Sequence, residues 1–170
     1  MLLADHNYGY GVIKMSLTNE QRQEVVTETK SWLGTKYVGW VAIKGYGADC
    51  GQLIFGIYRN CGFISPDIYL PKDYSLQVAQ HQASTEYIDI VNTYMREISQ
   101  DEVLPGDVVV FRLGLAFAHA GIVINYPSII HTLAYGGCQG GNLDRHPKLF
   151  KAQRKYFTLR DEYCLKQETA

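Results

Sequence analysis

Residues 44–62 read KGYGADCGQLIFGIYRNCG, and the fold turns on how this stretch is read. The glycine-punctuated turn 45–47 delivers Asp49 and Cys50 to the start of an apolar-periodic run that stops at Gly62, the pattern of a loop feeding a helix. Cys50 then sits in the first helical turn, where unpaired N–H groups and the partial positive charge of the helix N-terminus favour a thiolate. At about 100° per residue it shares a face with Leu53, Ile54, Ile57 and Cys61, so its sulfur points at whatever the helix covers. Two readings of that sulfur are open. It is a small buried hydrophobe, as free cysteines often are, or it is a nucleophile, which requires a histidine within reach.

Upstream, residues 1–14 show no clear period and read as a loose arm or an extended start, with one domain over 15–170. Thr18 with Gln21 forms a capping box, and Val25, Val26, Thr29, Trp32 and Leu33 make an apolar stripe ended by Gly34. This predicts a helix over about 19–33. Downstream, Ser65-Pro66 and Leu70-Pro71 mark an irregular connection, followed by a short helix at 74–82. Thr85 caps a third helix carrying Ile88, Val91, Met95 and Ile98 at helical spacing and ending near Ser99.

From LPGD at 104–107 the pattern changes to strands: VVVFR at 108–112, HAGIVI at 119–124 and SIIHTLA at 128–134. Residues 136–142, GGCQGGN, read as a loop, 144–151 as a helical turn and 155–160 as a last strand. Helices first and antiparallel strands after them predict an α+β fold.

Of five histidines, His6, His81 and His146 read as surface. His119 and His131 lie in the 119–134 hairpin. With a three-residue loop, 125–127, Gly121 faces His131, and the two histidines become diagonal neighbours on one face of the pair. A two-residue loop would shift the register by one and send them to opposite faces. In the same-face register an inward Cys50 on a helix meets two histidines on a sheet, which supplies a nucleophile, a base and an orienter of the base. Zinc held by Cys50, His119, His131 and Cys138 is the rival reading, but the spacings match no usual ligand pattern, so no metal or cofactor is expected.

The 170 residues, 46% of them hydrophobic, suffice for one well-packed domain. The net charge of −1 arises from scattered acids and bases, which points to neither nucleic acid nor an anionic lipid surface. The N-terminus lacks the succession of a signal peptide, and no run of about 18 apolar residues offers membrane insertion, so synthesis in the cytoplasm without a leader of its own is expected. Cys50 and Cys61 are ~16 Å apart on one helix and cannot bridge. With Cys138 and Cys164 they read as thiols.

With these residues assembled, the chain resembles the NlpC family of papain-like cysteine peptidases that cut bacterial cell-wall peptides, and within it the branch carried by phages as tail-associated peptidases. WLGTKY at 32–37 is similar to the family's WLGTPY. GADCGQLIFGIYRNCG resembles its cysteine helix, LPGDVVVFR its turn and strand, and HAGIVI with His131 twelve residues after His119 its two-histidine hairpin. The resemblance implies a papain-like fold with Cys50 as nucleophile, His119 as base and His131 as the residue that orients it. It further implies Tyr37 beside the oxyanion or substrate amine, and Asp49 as an acid that reads a free substrate amine. Peptidoglycan stem peptides are the implied partner, cut between D-glutamate and the diamino acid, and phage tail proteins the implied assembly at the cell wall. Gly51 stands where most of the family has serine, leaving its N–H as an oxyanion donor. Two other functions stay open: a cysteine amidase or acyltransferase on the same fold, and a non-catalytic tail-assembly or wall-binding module.

Overall fold

The computed structural model describes residues 17–67 and 85–164. The arm at 1–14, the short helix expected at 74–82, and His6 and His81 lie outside them. Helix α1 (Asn19–Lys30) begins at the capping box: Gln21 N–H donates to Thr18 Oγ1 (3.2 Å) and Thr18 N–H to Gln21 Oε1 (2.8 Å). It ends earlier than the stripe suggested. The chain turns after Lys30, keeping Trp32 buried and leaving Leu33 50% exposed.

A short hairpin of two-residue strands, β1 (Ala42–Ile43) with β2 (Gly47–Ala48), carries the chain to helix α2 (Cys50–Asn60). Asp49 is its N-cap, and it stops where Gly62 takes φ +79°. Leu53, Ile54 and Ile57 are fully buried, so the face predicted to look inward does. The helix packs on two strands of the main sheet, described next as β5 and β6.

That sheet has six antiparallel strands in the order β3-β8-β4-β5-β6-β7: β3 (Met95–Ile98), β4 (Val108–Leu113), β5 (Ala116–Asn125), β6 (Ser128–Leu133), β7 (Gly137–Asn142) and β8 (Arg154–Leu159). Two expectations are corrected here. The third helix, α3 (Glu86–Tyr94), stops at Tyr94, and Met95–Ile98 pairs with β8 instead. The spacing of Met95 and Ile98 fits a helix face, but in a strand it sends them to opposite sides of the sheet. Met95 joins the core beneath α2, and Ile98 the smaller core on the other face with Phe111, Ile129 and Leu149.

Residues 137–142 are a strand and not a loop. Glycine makes a poor strand former, but the open edge of β6 offers a full ladder, Ser128↔Asn142 through Leu133↔Gly137, and tertiary pairing overrides propensity. Gly137 enters that strand at φ +68°, passing so close to Thr35 that a Cβ would press into its carbonyl. Cys138 N–H donates to Thr35 O (2.7 Å) and Gly34 N–H to Cys138 O (2.9 Å), which ties the segment after α1 to the sheet edge. The expected helical turn after β7 is a hydrogen-bonded turn with Phe150 N–H donating to His146 O (3.0 Å).

The LPGD turn fastens the helices to the sheet. Arg22 Nη1 donates to Asp107 Oδ1 (2.8 Å) and Pro105 O (3.0 Å), and the Tyr58 hydroxyl donates to Gly106 O (2.6 Å), all in the interior. Among the described residues no helix is long and apolar enough to cross a membrane.

Candidate active site

The hairpin register decides whether the histidines meet. Gly121 is paired with His131, as the same-face reading requires, yet the loop consists of Tyr126 and Pro127 alone, with Asn125 opposite Ser128. A bulge between Val123 and Asn125 takes up one residue of β5 and restores the register. The loop length was therefore wrong and the facing right. Gly121 gives the needed room: a Cβ there would lie 3.0 Å from Ile130 O and 3.2 Å from the His131 Cβ. His119 Nε2 consequently reaches His131 Nδ1 at 2.9 Å, with the rings edge to face and their centroids 5.2 Å apart. Phe111, opposite His119 on β4, packs against the same ring, tilted by 33° with the centroids 5.7 Å apart.

Cys50 Sγ lies 3.7 Å from Ala118 O, one residue before His119. Cys50, His119 and Tyr37 line one cleft of about 780 Å³. Tyr37 reaches it because its backbone bridges to Ala48, just before the α2 cap. Burial, with Cys50 and Asp49 nearby, pushes the Tyr37 phenol up to about 12, so it is a protonated donor at neutral pH.

The charge state of Cys50 differs from what its helix position predicted. Burial, reinforced by the Asp49 carboxylate, pushes the thiol up to about 12, against the opposing pull of the Ala120, Gly51 and Cys50 N–H groups. Burial and the neighbouring His131 and His146 lower His119 to about 3; burial and His146 lower His131 to about 4. Desolvation outweighs the helix terminus, and the resting site holds a neutral thiol beside neutral imidazoles.

Asp49 is placed as the cap of α2. It is fully buried, its Oδ1 accepting from Gly51 and Gln52 N–H (both 2.9 Å) and its Oδ2 from Trp40 N–H (2.6 Å). Both oxygens are engaged in capping α2 and holding Trp40, a non-glycine residue at φ +60°, and Asp49 is not among the residues that line the cleft. The Gly51 N–H, expected as an oxyanion donor, is engaged by the same cap.

His146, expected at the surface, is half-buried. Its ring packs edge-on against His131 at 5.6 Å, and its Nδ1 accepts from Lys148 N–H (3.3 Å) and Leu149 N–H (3.2 Å). A histidine three residues before a core leucine is the capping signal that could have marked the turn; nothing local marks its contact with His131. Cys138 packs in the core beneath α2, and all four cysteines are free thiols. Among the described residues no group of three His, Cys, Asp or Glu side chains is placed to hold a metal.

Solved structures share this architecture. A Staphylococcus aureus protein, similar to lipoprotein and of the NLP/P60 family, aligns at TM-score 0.60 and 20% identity over 88% of this chain and 45% of its own. The peptidoglycan hydrolase RipB from Mycobacterium tuberculosis aligns at 0.52 and 14% over 82% and 64%. RipD from the same organism, a non-catalytic NlpC/p60 domain protein adapted to peptidoglycan binding, aligns at 0.50 and 12% over 83% and 98%. The chain thus spans less than half the length of the staphylococcal protein and under two thirds of RipB. No curated protein matches it. At these identities the likeness establishes the papain-like α+β fold. The sequence profile of the NlpC/P60 family independently matches residues 34–154, from the turn after α1 through the cysteine helix and the histidine hairpin to the start of β8, and on that match the chain belongs to the NlpC/P60 family.

Proposed function

We propose that the protein is a cysteine peptidase that hydrolyses peptidoglycan stem peptides through an acyl-enzyme on Cys50. The observation that carries this reading is that Cys50 and His119 line one cleft, with His119 held by His131 at 2.9 Å. His119 Nε2–H donates to His131 Nδ1, which leaves the Nδ1 lone pair of His119 for the thiol. As Sγ attacks the scissile carbonyl its proton passes to His119, so thiolate and imidazolium arise together and stabilise one another. The oxyanion takes hydrogen bonds from the Tyr37 phenol and the Cys50 N–H. Collapse forms the thioester and breaks the C–N bond, and His119 returns the proton to the leaving amine. Water, deprotonated by His119, then releases the acid and restores the thiol.

RipB's description as a peptidoglycan hydrolase supports the substrate class. The finer reading, cleavage between D-glutamate and the diamino acid by a phage tail component that reaches the wall with the virion, rests on the sequence resemblance. The non-catalytic example of RipD makes Cys50→Ala the necessary control. Purified peptidoglycan is digested with both proteins and the fragments identified by mass spectrometry. New termini at the D-glutamyl bond with the parent and none with Cys50→Ala are expected. An unchanged digest with the parent would leave a wall-binding module, and release of acyl groups onto an added amine in place of water would make it a transferase.

A further inference from the structure

The proposed reaction uses Cys50, His119, His131 and Tyr37, and leaves other residues of the cleft lining unassigned. Among them are Arg112 from the end of β4, and Lys148 and Lys151 from the turn between β7 and β8. No aspartate or glutamate lines the cleft among the described residues. The whole chain has 16 lysines and arginines against 17 acids, so this single-sign lining is a local arrangement and not a reflection of a basic protein. The salt bridges of the described residues join Arg22 to Asp107, Lys44 to Glu28 and Lys155 to Glu97, and none neutralises the three cleft cations. Among the described residues the Arg112 guanidinium meets a neutral side-chain amide, that of Gln153, at 3.4 Å.

The lysines are held in place from behind. His146 caps their turn through the N–H groups of Lys148 and Leu149, Leu149 is buried in the outer core, and Ala152 N–H donates to Leu149 O (3.2 Å). Through the His146 ring the turn also abuts His131, which places the backbone that carries the lysines against the histidine pair. Cations lining a cleft raise the local concentration of anions in it, here against the opposing charge of the Asp49 carboxylate buried beside Cys50.

We infer that Arg112, Lys148 and Lys151 form a carboxylate-reading subsite, which makes acidic peptides, with free carboxylates flanking the scissile bond, the preferred substrates. The substrate half of this inference rests on the proposed peptidase reading; the charge of the subsite does not. Two alkylating agents of one size separate them: iodoacetate is an anion and iodoacetamide is neutral. The rate ratio at Cys50 at pH 8.5, assigned by peptide mapping and normalised to N-acetylcysteine, is expected to favour iodoacetate by roughly three- to tenfold at low salt. It should fall toward the reference value in Lys148→Gln/Lys151→Gln and in 0.5 M NaCl, and survive Lys148→Arg. A parent ratio equal to that of N-acetylcysteine, at low salt, overturns the subsite. The second arm compares kcat/KM for L-alanyl-γ-D-glutamyl-L-lysine with both carboxyls free or both amidated. A preference for the free acid that the double lysine variant reduces supports the substrate assignment. Cleavage of both forms at one rate overturns it, and an iodoacetate preference without cleavage of either keeps the anion subsite while rejecting the peptidase.

Discussion

His119 Nε2 and His131 Nδ1 stand 2.9 Å apart across the β5–β6 pair, with Gly121 directly opposite His131. A base whose ring N–H donates one hydrogen bond to a neutral partner needs an acceptor at that point and nothing more. His131→Asn or Gln therefore keeps measurable activity, while His131→Leu loses roughly a hundredfold or more. kcat on a stem peptide with each variant checks this. Equal losses in Asn and Leu would assign His131 a proton-transfer role of its own.

Buried neutral histidines link stability to pH. His119 is lowered from 6.5 to about 3 and His131 from 6.5 to about 4, so between those values the unfolded chain binds more protons than the folded one. Their contribution is complete above about pH 6.5 and is lost as pH falls toward 4 and below, with a slope of up to about 2.7 kcal/mol per pH unit for two protons. Urea unfolding of the parent and of His119→Gln between pH 4 and 7 measures the difference. Parallel pH profiles for the two proteins would contradict neutral burial.

The thiol responds at the other end of the scale. With Cys50 raised from 9.0 to about 12, iodoacetamide labelling of Cys50 is expected to be slow at pH 6 and to climb steadily above pH 8. A rate that has already levelled off below neutrality would show a preformed thiolate–imidazolium pair and reverse the charge assignment given above.

Asp49 holds Trp40 and the first turn of α2 with three backbone N–H groups. Asp49→Asn replaces one acceptor by a donor, and in the orientation that keeps the α2 cap it faces the Trp40 N–H. A loss of about 1–3 kcal/mol in stability follows, together with lower kcat as Cys50 shifts. The preference between free and acetylated N-termini should not change. Selective loss of the free-amine preference, with stability intact, would restore Asp49 as the amine reader.

Arg22 donates to Asp107 inside the protein, where Asp107 is fully buried. Arg22→Met leaves that carboxylate without its cation and should cost about 3 kcal/mol, a fall of roughly 6–12 °C in Tm. A Tm within 2 °C of the parent would show that the LPGD turn is held by Tyr58 and the backbone alone.

What the sequence determined by itself was set by short-range rules. The Thr18–Gln21 box, the glycine turn before Cys50, the inward face of α2 and the strand character of 108–112 and 119–134 depend on residues within a few positions of one another, and these came out as expected. So did the facing of Gly121 and His131, though through a bulge that sequence spacing could not distinguish from a longer loop. Tertiary structure decided the rest, because each outcome weighed a local preference against a partner remote in the chain. Met95–Ile98 left its helical pattern for the edge of β8, and the glycines of 137–142 became a strand against β6. Burial beside Asp49 raised a thiol that its helix terminus alone would have lowered. The sequence brought Cys50, His119 and His131 into view as a reacting set; only the packed fold closed Asp49 away from the cleft, set His146 against His131, and left three cations facing the same space as the nucleophile. Desolvation and long-range pairing belong to the assembled molecule, and no window of sequence contains them.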